Sequence, residues 1–181
     1  AALVRADHGD GGGRAFAIEG EFRGAQAITQ DDAPALDVGF GGEVGAGGIT
    51  GEHVWCQLFS EPGSGSDLAG LTTRADWDGE AWVINGQKVW TTSAHHARYG
   101  MLLARTNWDV PKHRGITYFV IEIKQPAVDV RPIKQINGHA SSKEVFMADA
   151  RVPPENIVGQ QGNGWTVALA TLAHERRLEQ R

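Results

Sequence analysis

The stretch Gln57-Leu58-Phe59-Ser60-Glu61-Pro62-Gly63-Ser64-Gly65-Ser66-Asp67 begins as a strand and runs into a turn. Its first three residues extend an apolar, aromatic run, and Pro62 then fixes one backbone angle and removes one donor. Gly63 and Gly65 are expected to supply angles closed to other residues. Ser60, Ser64, Ser66 and Asp67 gather side-chain oxygens at the strand's mouth. A turn of this composition lets backbone N–H groups approach an anionic or polar ligand closely. The plainer reading is an ordinary surface turn. A second stretch answers the first further on, Val89-Trp90-Thr91-Thr92-Ser93, which ends another strand.

Working outward, short apolar or alternating runs occupy residues 53–60, 71–77, 81–90, 99–106, 115–124, 128–136 and 143–152. Asp78-Gly79 is a hairpin signal between two of them, and Asn85-Gly86 reads as a second turn or a bulge. Short strands joined by tight turns predict a mainly β fold, an antiparallel barrel or sandwich that hides its edges by closing on itself. Pro153-Pro154 stops the last strand, since proline cannot donate to a ladder. Trp165, Ala168, Leu169 and Leu172 then recur at helical spacing, and Arg176, Arg177 and Arg181 favour a helix C-terminus. Residues 1–50 read differently. They hold half of the 24 glycines and none of the six tryptophans, and they are expected to be irregular.

The totals exclude several classes. The chain has 181 residues and a net charge of −5, which argues against general nucleic-acid binding. The single cysteine, Cys56, excludes an internal disulfide and reads as a small buried strand residue. No apolar run approaches membrane-spanning length, and the first residues lack the ordered regions of a signal peptide, so the expected location is cytoplasmic. The seven histidines are scattered apart from His95-His96, neighbours expected to point apart, so no metal site is indicated. No Gly-x-Gly-x-x-Gly opens a helix after a strand. Arg131, Lys134 and Lys143 form a modest basic patch, better read as a solvated sheet face than as a phosphate site.

Ser60-Glu61-Pro62-Gly63-Ser64-Gly65-Ser66-Asp67 resembles the signature that opens the middle domain of acyl-CoA dehydrogenases. Gly86-Gln87-Lys88-Val89-Trp90-Thr91-Thr92-Ser93, Val152-Pro153-Pro154-Glu155-Asn156-Ile157-Val158-Gly159 and Gly162-Asn163-Gly164-Trp165 resemble three further motifs of that family, in the same order. The resemblance runs from about Gly51 to Arg181 and fails before it. It implies a middle β-domain over 51–153, and over 154–181 a linker and the first helix of a C-terminal helical domain, so the chain reads as a fragment.

The resemblance also implies FAD as cofactor and oxidation of an acyl-CoA to the 2,3-enoyl thioester. Such a reaction needs a carboxylate for the proton beside the carbonyl and a flavin to accept the other hydrogen as hydride. By resemblance, Trp90 walls the flavin with Thr91 beside it. Thr92 offers a hydroxyl near N5, Phe59 and Ser60 serve the pyrimidine edge, and Gln57 lies along the ring. Without the resemblance, Trp90 reads as a core aromatic, and Ser60 and Thr92 as strand-end hydroxyls. Ser66 matches a position that hydrogen-bonds the CoA moiety, or is a turn serine bonding its own backbone. Asp67 is expected to cap the turn. Arg176 matches a basic residue near the acyl-CoA channel, or is a solvated helix charge. Most of the family carries the catalytic base far downstream in the C-terminal helical domain; Glu175 falls where a minority places it, and otherwise reads as half of an exposed Glu-Arg pair. The implied partners are an acyl-CoA substrate, an electron-transfer flavoprotein as acceptor, and identical subunits in a homotetramer. The competing readings are a relative with other flavin chemistry and a non-catalytic barrel that binds an acyl thioester or a protein.

Overall fold

The computed structural model describes residues 3–5, 17–19, 53–136, 138 and 140–179, with the backbone alone for 3–5, 17–19 and 174–179. Two short strands, β1 (Leu3–Arg5) and β2 (Ala17–Glu19), pair antiparallel with Val4 opposite Ile18. The rest of segment 1–50, expected to be irregular, lies outside the described residues.

The remaining strands build one seven-stranded sheet. They are β3 (Trp55–Leu58), β4 (Arg74–Trp77), β5 (Trp82–Thr92), β6 (Tyr99–Arg105), β7 (Ile116–Glu122), β8 (Val128–Pro132) and β9 (Ser142–Val152). Each falls on one of the expected runs. The order is β3-β6-β4-β5-β9-β8, with β7 along the other edge of β6. Most pairs are antiparallel, as expected. The departures are β3 with β6, parallel from Trp55 opposite Tyr99 to Leu58 opposite Leu102, and a single parallel step of β4 on β6 at Arg74 and Arg105. The glycine turn after β3 carries the chain across to β4, so β3 never meets a hairpin partner.

The β4–β5 connection is the hairpin that Asp78-Gly79 signals. Trp77 lies opposite Trp82, and the Asp78 carboxylate accepts from the N–H groups of Glu80 and Ala81 at 2.9 and 2.8 Å. Gly79 takes φ +104, which a side chain resists. Asn85-Gly86 sits at a bulge, whose extra residue belongs to β9. Asp149, at φ 58, is clasped there by Asn85, which donates to its carboxylate and accepts from its N–H, both at 2.9 Å. Gly86 must be glycine for want of room: a Cβ would lie 2.8 Å from Thr73 Cα.

Strands β3, β6 and β7 are apolar on both faces because both are covered. On one face Cys56, Leu58, Leu102, Ala104, Phe119 and Ile121 join the core enclosed by the curled sheet. On the other, Trp55, Phe59, Met101, Leu103, Tyr118 and Val120 join a second core to which a helix, α1 (Gly164–Glu179), adds Val167 and Ala168 where it docks on β7. The helix buries Val167 and Ala168, with Trp165 and Leu172 half-buried. Leu169, expected on the apolar stripe, is 50% exposed, and Val167 takes its place. Before the helix, Asn156 and Val158 bond the backbone of β7 at Val120 and Tyr118, which covers an edge that would otherwise lie open.

Candidate functional site

The two motif stretches meet. The Val89 N–H donates to the Ser60 carbonyl at 2.9 Å, so the end of β3 and the last turn of β5 are directly bonded. One residue back, the Lys88 ammonium, wholly buried, donates to the Phe59 carbonyl at 3.0 Å and to Glu61 Oε1 at 2.9 Å. The Glu61 carboxylate also accepts from the Thr73 N–H at 2.8 Å and from the Thr72 N–H and hydroxyl at 2.7 and 2.8 Å. Burial pushes the Glu61 carboxyl upward, but the Lys88 charge and the Thr72 and Thr73 bonds outweigh it and hold the group at about 2. Burial pulls Lys88 down to about 8, with the Glu61 charge opposing it.

Beyond Lys88 the strand breaks step. Lys88 faces Val145 and Thr91 faces Lys143, so two residues of β5, Val89 and Trp90, oppose the single Glu144. In a regular pleat Trp90 shares the inward face of Lys88. The bulge reverses that parity. Trp90 stands at φ 62 and is 63% exposed, Thr91 is buried, and Thr92 is exposed. The reading of Trp90 as a core aromatic is thereby excluded. Thr91 Oγ1 finds no hydrogen-bond partner among the described residues. Phe59 is buried edge-on against Tyr118, with ring centroids 5.8 Å apart, while Gln57 and Ser60 are half-buried. Five of the six residues expected at the cofactor, Phe59, Ser60, Trp90, Thr91 and Thr92, thus lie on the two bonded segments, and Gln57 lies on the strand feeding one of them.

The turn after Ser60 closes tightly. Glu61 and Ser64 exchange both backbone hydrogen bonds at 3.0 and 3.1 Å. Gly63 and Gly65 do not adopt positive φ, contrary to expectation. A Cβ on either meets nothing within 4 Å, so these glycines leave bare backbone facing open space. Asp67 precedes the 3-10 turn Leu68–Gly70 but gives it no side-chain cap; its carboxylate pairs with Lys112 at 2.7 Å. Arg105 pins the same segment from beneath, donating to the carbonyls of Ala69 at 2.7 Å, Leu71 at 3.2 Å and Lys112 at 3.0 Å. Ser66 is exposed at the tip.

Other expectations resolve simply. His95 and His96 do not point apart; the turn brings their rings to 3.7 Å between centroids. Among the described residues no group of three or more His, Cys, Asp or Glu could hold a metal. Cys56 is buried, which pushes its thiol up to about 12 and leaves it inert. Glu175 and Arg176 lie on α1, but their side chains fall outside the described residues. The residues that reading by motif passed over are Glu61, Lys88 and Arg105. A lysine inside an alternating strand was the available signal, because only a paired lysine survives there.

An exposed indole beside a polar, backbone-rich strand end can hold a flat heteroaromatic group. Residues 56–150 match the model of the acyl-CoA dehydrogenase middle domain. The acyl-CoA dehydrogenase FadE34 of Mycobacterium tuberculosis is 52% identical over 71% of this chain and 18% of its own length. The acyl-CoA dehydrogenase IpdE1 of the same organism is 51% identical over 68% of this chain and 32% of its own. Among solved structures, the Tcur3481–Tcur3483 steroid ACAD superposes with a TM-score of 0.68 at 36% identity, covering 72% of this chain and 34% of that one. The chain therefore spans about a third or less of the length of these relatives. On the match of its middle domain and the identity to these enzymes, the chain belongs to the acyl-CoA dehydrogenase family.

Proposed function

We propose that this chain supplies the flavin-side wall of an enzyme that oxidises a bulky cyclic acyl-CoA, of the steroid type, to its 2,3-enoyl thioester. One observation carries the reading: the bulge in β5 turns Trp90 out of the core at the point where Val89 is bonded to Ser60. The similarity to a steroid ACAD supports the substrate class.

FAD, when bound, supplies the acceptor for the hydride leaving the β-carbon. The residues present fit it. Trp90 offers a flat apolar wall, the exposed Thr92 hydroxyl stands next to it, and the orphaned Thr91 Oγ1 awaits a partner. Ser60, half-buried, lies on the facing segment with its carbonyl held by the Val89 N–H. On the substrate side, Ser66 and the bare backbone at Gly63 and Gly65 receive the polar CoA arm, and Arg176 adds a cation. Glu175 on α1 takes the proton next to the thioester carbonyl. The enzyme hands its electrons to an electron-transfer flavoprotein and assembles as a homotetramer. This chain by itself retains little FAD and does not turn over, because it forms only one wall of the pocket.

The test uses the complete polypeptide that carries this domain. It should purify yellow and oxidise a steroid-side-chain CoA thioester faster than a straight-chain one, and Glu175→Gln should abolish turnover without bleaching the protein. A colourless protein whose flavin fluorescence does not change on titration with FAD would overturn the reading. Near-normal turnover by Glu175→Gln would remove that residue from the mechanism.

A further inference from the structure

We infer that Glu61 and Lys88 are positioning residues that lock the two halves of the site in register. The inference deepens the flavin reading and rests on it. The pair is buried: Lys88 wholly, and Glu61 to within 6% of full burial. Buried ion pairs seldom stabilise a fold more than apolar residues of the same volume do. This one spends its hydrogen bonds on backbone at the site.

Lys88 and Val89 together clasp three consecutive residues of the opposing segment. Lys88 bonds the Phe59 carbonyl and the Glu61 carboxylate, and Val89 bonds the Ser60 carbonyl. Trp90 follows immediately, in a left-handed conformation that L residues resist. A residue held there must be over-determined by its surroundings. The clasp supplies that constraint on the side of Trp90 nearest Ser60. Glu61 then extends the hold across the turn. By accepting from Thr72 and Thr73 it joins the first residue of the 61–73 loop to its last two, fixing the base on which Ser64, Gly65 and Ser66 stand. One carboxylate and one ammonium thus tie the Trp90 segment, the Ser60 segment and the Ser66 turn to one another.

Two readouts test this, and they fail separately. The first needs no flavin. In Lys88→Met, amide hydrogen exchange at Val89, Thr72 and Thr73 should accelerate by about tenfold or more, while Leu102 and Phe119 in β6 and β7 change by less than about twofold. Uniform acceleration at all five amides, or no change at Val89, Thr72 and Thr73, would overturn the inference, since a merely structural pair moves them together. Should Lys88→Met not fold, Glu61→Gln and the double variant E61Q/K88M carry the same measurement with the buried charge removed or halved. The second readout is FAD affinity in the complete enzyme, expected to weaken by about tenfold in Lys88→Met and to recover in part in Lys88→Arg. Wild-type enzyme that binds FAD while both Lys88 variants bind it equally well would also overturn the inference. Wild-type enzyme that binds no FAD would instead sink the flavin reading, and the exchange experiment would still decide whether the pair is a clasp.

Discussion

At the scale of single residues, Glu61 makes the fold sensitive to acid in a defined window. Burial raises its pKa, but the Lys88 charge and the bonds from Thr72 and Thr73 more than offset this and leave it at about 2, against 4.5 for a free glutamate. The folded state therefore holds fewer protons than the unfolded state between those values. Its stabilising contribution is complete above pH 4.5 and is lost as pH falls through about 2. The thermal midpoint of the wild-type chain should drop across that interval, and Glu61→Gln should flatten the drop. Equal slopes for the two proteins would mean that other carboxylates govern acid unfolding. The sequence displayed both members of this pair inside its motifs but not their relation, because they are 27 positions apart and pairing at that distance leaves no local periodicity.

At the scale of elements, the bulge in β5 decides where Trp90 goes. Alternation along residues 81–90 revealed the strand, and Asp78-Gly79 revealed its hairpin. Neither could reveal that β5 carries one more residue than β9 between Lys88 and Thr91, since a bulge is defined by two strands at once. For the same reason the parallel pairing of β3 with β6 was not legible, whereas the existence of both strands was. The candidate site could be read only through resemblance: tryptophan and threonine at a strand end carry no chemistry until the facing segment is known. Backbone strain at Trp90 gives a prediction of opposite signs. Trp90→Gly should relieve a left-handed non-glycine residue at a cost of little buried area, because the side chain is 63% exposed. The unfolding free energy of this chain, measured in urea, should hold or rise by up to about 1 kcal/mol. FAD binding by the complete enzyme should fall sharply. A clear loss of stability would show that the indole packs more than its exposure suggests.

At the scale of the whole molecule, the described residues form two cores that share one set of strands, and the site hangs from both. Leu58 faces the core within the curled sheet, while its neighbour Phe59 faces the layer under α1. Ser60 follows at once, so its position depends on the sheet and on the docked helix together. Gly164 sets that docking. A Cβ there would lie 2.5 Å from Thr117 C and from Tyr118 N, which are backbone atoms and cannot swing aside. Gly164→Ala should therefore lift the first turn of α1 off β7 and cost about 1–3 kcal/mol in urea unfolding. The loss should be confined to one core. Dye binding by the uncovered layer should rise as Val167 and Ala168 leave the core they share with Tyr118 and Phe59, whereas the near-ultraviolet signal of Trp82, packed on Phe119 with ring centroids 5.6 Å apart in the other core, should persist. Simultaneous loss of both signals would mean that the two layers fold as one unit. The helix would then be part of the sheet's own stability rather than a cover that shapes the end of β3.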